Sequence, residues 1–157
     1  MSYHRERFEL DEKDRKILRI LVTNARTPFS RIARELGLSE ASIYVRIRRL
    51  EKIGVLRGYT ASIDLAKLGY TIRALIMLKL SPDRYREAIS QIKVFSNTID
   101  VYEITGEFHI VMKVVARSNE ELSQLIDKLG SIPGVLETRT LYVLRTIKEE
   151  SVSSVLF

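Results

Sequence analysis

The chain has 157 residues, enough for one ordinary domain or for two small ones that complete their cores with partners. It carries a formal net charge of +6 and no cysteine, which excludes disulfides, thiolate metal sites and cysteine nucleophiles. The charge is uneven: through Gly58 there are 14 Lys+Arg against 8 Asp+Glu, and from Tyr59 onward 12 against 12. A basic segment joined to a neutral one predicts a nucleic-acid module attached to something else.

The opening stretch MSYHRERFELDEKD has no apolar signal core, and no apolar run approaches the roughly 18 residues of a membrane span. The expectation is a soluble, cytoplasmic protein without a membrane partner. His4, Arg5 and Arg7 are candidates for weak backbone contacts from an N-terminal arm, with a solvated tail as the alternative.

A first helix is predicted from Asp11 to about Thr23, with Asp14 in its first turn and Ile17, Leu18, Ile20 and Leu21 facing a core. Asn24 to Phe29 is a turn, closed to helix by Pro28. Ser30 is the expected cap of a short second helix packed through Ile32, Ala33 and Leu36 and ended by Gly37. Ser39 then caps a third helix that runs to Gly54. In this helix Ile43, Ile47 and Leu50 fall on one side at i, i+4 and i+7. The other side carries Ala41, Ser42, Tyr44, Val45, Arg48, Arg49 and Lys52, with Arg46 at its margin and no acid along the arc.

Two short helices joined by a few residues including Gly, the second one amphipathic and basic, define a helix-turn-helix. In that motif the second helix enters the major groove while the first crosses the backbone. Ser42 and Tyr44 can hydrogen-bond to bases or phosphates, Val45 can touch a thymine methyl, and Arg46, Arg48 and Arg49 offer forked donors. Thr27, Ser30 and Arg31 are candidates for phosphate contacts. Alanine at Arg46 or Arg49 is expected to weaken duplex binding without disturbing assembly. A solvated basic face is the alternative.

After Gly58 the pattern turns strand-like. Tyr59 to Ile63 is read as a strand, within a linker strand over 59–71, and Ile72 to Leu80 as a longer one. Ser81, Pro82 and Asp83 open a helix ending near Phe95. Ile99 to Thr105 and Phe108 to Ala116 form a hairpin through Gly106 and Glu107, of type II′. Ser118 and Glu121 are a capping box for a helix stopping at Gly130, and Val135 to about Thr146 is the last strand. The predicted fold class is therefore α+β. A helix-turn-helix (winged-helix-like) domain over 1–58 precedes a ferredoxin-like β-α-β-β-α-β domain over 72–157.

The strands do not alternate cleanly. Ile72, Ala74, Ile76 and Leu78 share one face, but Leu75 and Met77 lie on the other, and Val111 and Val115 oppose Ile110, Met112 and Val114. A sheet apolar on both faces needs a cover on each, and a second copy of the chain is the simplest one. The alternative cover is the helices of the first domain.

With these elements in order, the chain resembles the Lrp/AsnC family, the feast/famine transcription regulators of bacteria and archaea. The resemblance covers Leu10 to about Lys148. It rests on LDEKDRKILRIL, on ARTPFSRIARELGLSEASIYVRIRRLEKIGVLRGYTASID, on YEITGEFHIVMKV and on SIPGVLETRTLYVL. It implies a regulator that binds double-stranded DNA and forms homodimers assembling into tetramers, octamers or larger arrays. It also implies an amino-acid effector held by Gly106, Glu107, Phe108 and His109 together with Thr138, Arg139 and Thr140. Many relatives have an aspartate where this chain has His109, and a histidine alters the preference for an ammonium group. No cofactor, metal or enzymatic activity is expected, and Glu103, Glu107 and Glu137 are read as solvated or interface carboxylates. The competing functions are an architectural, chromatin-like DNA binder without an effector and a helix-turn-helix used only for protein contacts.

Overall fold

The structure, a computed structural model, describes residues 9–149 and contains two compact units that divide between Ser62 and Ile63. The arm residues His4, Arg5 and Arg7 lie outside the described residues.

The first unit holds α1 (Glu12–Thr23), α2 (Phe29–Leu36) and α3 (Glu40–Lys52). A capping box starts α1. The Asp14 N–H donates to Asp11 Oδ1 at 2.8 Å, and the Asp11 N–H donates back to Asp14 Oδ2 at 3.2 Å. Helix α2 begins one residue before Ser30, the expected cap. Pro28 takes the N-cap position at φ −61°, so Ser30 falls in the first turn. Gly37 closes α2 at φ +63°, a left-handed conformation that glycine adopts without a Cβ penalty. Ile17, Leu18, Leu21, Ile32, Ala33, Ile43, Ile47 and Leu50 form the core of this unit.

The predicted strand at Tyr59–Ile63 is not formed. A β-favouring sequence becomes a strand only beside another edge, and here none pairs with it; the following linker holds only one 3-10 turn, Ala66–Leu68.

The second unit runs β1 (Ile72–Leu80), α4 (Tyr85–Ile92), β2 (Thr98–Glu103), β3 (Ile110–Ala116), α5 (Asn119–Gly130) and β4 (Val135–Tyr142). A 3-10 turn at Pro82–Arg84 precedes α4. The four-stranded sheet has the order β2-β3-β1-β4, with every neighbouring pair antiparallel. Ile72, Ala74, Ile76, Leu78 and Leu80 face a core completed by Ala88 and Ile92 of α4 and by Leu122, Leu125 and Leu129 of α5. The intervening β1 residues Arg73, Leu75, Met77 and Lys79 lie on the opposite face, where Val111 and Arg139 flank Met77 and Leu141 flanks Leu75.

The hairpin between β2 and β3 is wider than a two-residue turn. Residues 104–109 form the connection, closed at its base by the Ile104 N–H donating to the His109 carbonyl at 2.8 Å. Phe108 is buried and the His109 N–H bonds to the Leu78 carbonyl at 2.9 Å, so Phe108 and His109 anchor the loop instead of extending the strand. Ser118 caps α5 as expected, accepting from the Glu121 N–H. The Glu121 carboxylate instead accepts from the Arg117 N–H and the Asn97 amide, which holds it below the usual carboxylate range.

Gly134 sits at φ +95°, and a Cβ there would lie 2.8 Å from the Arg84 Cβ and 3.1 Å from the Arg84 carbonyl oxygen. Its own carbonyl accepts the Ser81 N–H at 2.7 Å, tying the end of β1 to the turn before β4. Gly134→Ala combines left-handed strain of about 1–2 kcal/mol with a backbone clash. We expect it to lower Tm by at least about 4 °C in thermal melts, given roughly 2–4 °C per kcal/mol for this size.

Candidate nucleic-acid interface and ligand loop

Helix α3 starts where Ser39 Oγ accepts the Ser42 N–H at 3.2 Å, so the Ser39 side chain serves the cap. Its buried stripe, Ile43, Ile47 and Leu50, turns Ala41, Tyr44, Val45, Arg48, Arg49 and Lys52 outward, with Ser42 half-buried. Tyr44 is 49% exposed and Val45 64%. Apolar groups this open on a basic helix are available to a groove. Tyr44 is set by its neighbours: its ring lies 6.4 Å from Phe29, and its hydroxyl accepts from Arg48 Nε at 3.2 Å. Arg48 also pairs with Glu51 at 3.1 Å, yet its side chain stays 65% exposed and can leave for a phosphate.

No acid of α3 itself lies along its arginine face, but acids of α1 meet that face at Arg46 and Arg49. Asp14, fully buried on α1, receives both Arg46 and Arg49. Arg46 Nη1 lies 2.8 Å from Asp14 Oδ1 and 2.6 Å from Asp11 Oδ2, and Arg49 Nη2 donates to Asp14 Oδ2. These hydrogen bonds, that to Asp11 first, push the Arg46 guanidinium above its ordinary value. The Asp14 N–H, and then Arg46, hold the Asp11 carboxyl below the usual range. Arg46 is therefore structural as much as it is a candidate reader of bases. An Arg46→Ala change also strips a partner from a buried carboxylate, which typically costs about 3–5 kcal/mol, so alanine here does not test binding alone.

The burial of Asp14 was readable in the sequence. Asp14, Ile17, Leu18 and Leu21 follow i, i+3, i+4, i+7, which puts a carboxylate on the apolar stripe of α1 and calls for a cationic partner.

At the start of α2, Ser30 and Arg31 are exposed, as phosphate contacts require. Thr27 is buried, and its hydroxyl donates to the Asn24 carbonyl at 2.8 Å, so it stabilises the turn and is withdrawn from the surface.

The second predicted constellation divides. Arg139 reaches the 104–109 loop: its guanidinium lies 4.4 Å from the Phe108 ring centroid, 3.3 Å from Glu137 Oε1 and 3.9 Å from Glu107 Oε1. Thr138 and Thr140 pair with Leu78 and Ile76, on the helix-covered side, because side chains alternate along a strand. They do not share a face with Arg139.

His109 is also engaged within the fold. Its Nδ1 accepts the Leu80 N–H at 2.9 Å, beside the register shift at the end of β1, which leaves the ring proton on Nε2. The Tyr85 ring meets it edge-on at 5.9 Å and 86°. The Tyr85 hydroxyl donates to Glu103, and this bond, reinforced by burial, pushes its pKa up to about 12. Gly106 stands at the loop tip with open space around it. Among the described residues there is no His/Cys/Asp/Glu cluster suited to a metal ion, and no helix is long and apolar enough to cross a membrane.

Comparison with known proteins gives this geometry a context. Residues 10–51 match an AsnC-type helix-turn-helix domain, and residues 73–153 match an Lrp/AsnC ligand binding domain. The HTH-type transcriptional regulator FL11 of Pyrococcus horikoshii is 41% identical over 143 residues, 91% of this chain and 95% of that protein. The structure of E. coli AsnC superposes with a TM-score of 0.88 at 30% identity, covering 93% of this chain and 99% of that one. A Neisseria meningitidis transcriptional regulator in complex with L-Met shares the fold at a TM-score of 0.86 and 23% identity, over 91% and 95% of the two chains. The chain belongs to the Lrp/AsnC family of transcriptional regulators, with a DNA-binding helix-turn-helix followed by the family's ligand-binding domain.

Proposed function

We propose that this regulator binds double-stranded DNA sequence-specifically in the cytoplasm, as a homodimer or a larger assembly of dimers, and that an amino acid tunes the binding. The observation that carries the reading is the outward face of α3. Ala41, Ser42, Tyr44 and Val45 offer small, apolar and hydrogen-bonding contacts suited to base edges, and Arg48, Arg49 and Lys52 follow with charge for phosphates. Ser30 and Arg31 add backbone contacts from α2. The apolar sheet face through Leu75, Met77, Val111 and Leu141 supports pairing of two copies, which would present two α3 helices to paired half-sites.

For the effector, the proposed elements are the Gly106–His109 loop and Arg139, with Thr138 and Thr140 entering from the other face. An architectural role without an effector is favoured by one specific observation: Arg139 already engages the Phe108 ring and Glu137, with Glu107 at 3.9 Å, and His109 Nδ1 is taken by the Leu80 N–H.

Selection of bound duplexes from a random pool, with and without an amino-acid mixture, tests both readings. The expected result is an enriched near-palindrome with half-sites spaced by about one helical turn, roughly 10 base pairs or a multiple, whose recovery changes with amino acids. No enriched motif would defeat sequence-specific regulation. A motif indifferent to all amino acids would favour the architectural role.

A further inference from the structure

Asp14 is the one fully buried carboxylate among the described residues, and the helix-turn-helix reading makes no use of it. A carboxylate placed among Ile17, Leu18 and Leu21 is tolerated only if its oxygens are hydrogen-bonded and its charge is met. Both conditions are fulfilled from α3, 32 and 35 residues away, by Arg46 and Arg49. The two donors are not held alike. The Arg46 side chain is only 26% exposed and its Nη1 is shared between Asp14 and Asp11, while Arg49 is 49% exposed and meets Asp14 alone. The first turn of α1 thus grips α3 along the edge of its outward face.

We propose that Asp14 is a positioning residue that sets DNA specificity: through Arg46 it fixes the rotation of α3 about its axis and withholds that guanidinium from the DNA backbone. This rests on the reading of α3 as the duplex-contacting helix. A free arginine on that face strengthens binding to every sequence alike, because phosphates carry no sequence information. Tied to Asp14, Arg46 adds nothing to non-specific affinity, and discrimination is left to Ala41, Ser42, Tyr44 and Val45, which the tether holds at a constant angle. Arg48, whose hydrogen bonds among the described residues go to Tyr44 and Glu51 of its own helix, remains the phosphate ligand.

The test measures the affinity of the full-length protein for its selected duplex and for a random duplex across a salt series. Three variants are compared with the unchanged chain: Arg46→Gln, which removes the guanidinium but keeps a polar side chain, Arg48→Gln, and Asp14→Asn. Each phosphate contact contributes about 0.9 to the slope of log affinity against log salt. Arg48→Gln is expected to reduce the slope by about that amount per protomer, and Arg46→Gln to leave it unchanged. Asp14→Asn, which removes the carboxylate shared by Arg46 and Arg49 and leaves Arg46 only Asp11, is expected to steepen the slope on random DNA and to cut the ratio of specific to random affinity by about tenfold or more. If Asp14→Asn does not fold, the Arg46→Gln slope decides alone. A slope reduced in Arg46→Gln as much as in Arg48→Gln overturns the proposal, as does a folded Asp14→Asn protein with unchanged discrimination. Failure of the unchanged chain to bind duplex DNA would instead overturn the reading of α3.

Discussion

Val45→Glu is expected to abolish specific duplex binding while leaving the fold as stable as before, or slightly more stable. Val45 is the most exposed large apolar residue of α3, and it makes no part of the core of the first unit. Glutamate replaces a β-branched residue with a better helix former. It also stands three and four residues before Arg48 and Arg49, a spacing in which an acid N-terminal to a base adds about 0.2–0.5 kcal/mol. Against DNA the same side chain is a liability. It sets a carboxylate facing an anionic groove, diverts the arginines from phosphates, and removes the methyl groups available to a thymine. Like-charge juxtaposition at an interface costs several kcal/mol. At about 1.4 kcal/mol per decade, the expected loss is roughly 100- to 1000-fold in Kd. Fluorescence anisotropy with the selected duplex reads the affinity, and circular dichroism melts read the stability. An affinity within about threefold of the unchanged protein would remove α3 from the interface, whatever the stability.

Range explains why this helix is legible in the sequence and the partners of its arginines are not. The cap at Ser39, the stripe Ile43–Ile47–Leu50 and the left-handed end of α2 at Gly37 are local, decided by neighbours within one or two turns. The same holds for the strands of the second unit and for the Ser118 cap of α5. What escaped depends on partners distant in sequence. The guanidiniums of Arg46 and Arg49 look free along their own helix and become engaged only when α1 packs beside it. The hairpin at Gly106 looks like a two-residue turn until Leu78 and Leu80 of β1 claim the backbone and ring of His109. Tyr59–Ile63 has strand-forming residues but no edge to pair with. Thr138, Arg139 and Thr140 are a local exception: they adjoin in sequence, and the two-residue period of β4 by itself places Arg139 on one face and both threonines on the other. The burial of Asp14 stands between these cases, since its spacing betrayed it even though its partners were distant.

The second large effect is expected at Met77. If two copies pair through the sheet face that α4 and α5 leave open, a two-fold axis brings the centre of that face against its own equivalent. Met77 lies near that centre, between Val111 of β3 and Arg139 of β4. Met77→Lys would then bring a charge close to its own copy, beside a second cation in Arg139, in a surface whose other large members are Leu75 and Leu141. Burying unpaired like charges costs several kcal/mol, and about 4 kcal/mol is a thousandfold in the dimer constant. Within the single unit the change is mild, because Met77 is only half-buried and lysine fits a strand face that already holds Arg73 and Lys79. Sedimentation at micromolar concentration should therefore report a monomer of about 18.1 kDa with an intact circular dichroism spectrum. Duplex affinity should fall with it, since linking two α3 helices multiplies affinity by about 10²–10⁴ when both half-sites are engaged. A Met77→Lys protein that sediments like the unchanged chain would place the self-association surface elsewhere. A monomer that still binds the paired site at full affinity would mean that one α3 suffices, and the spacing of half-sites would lose its structural explanation.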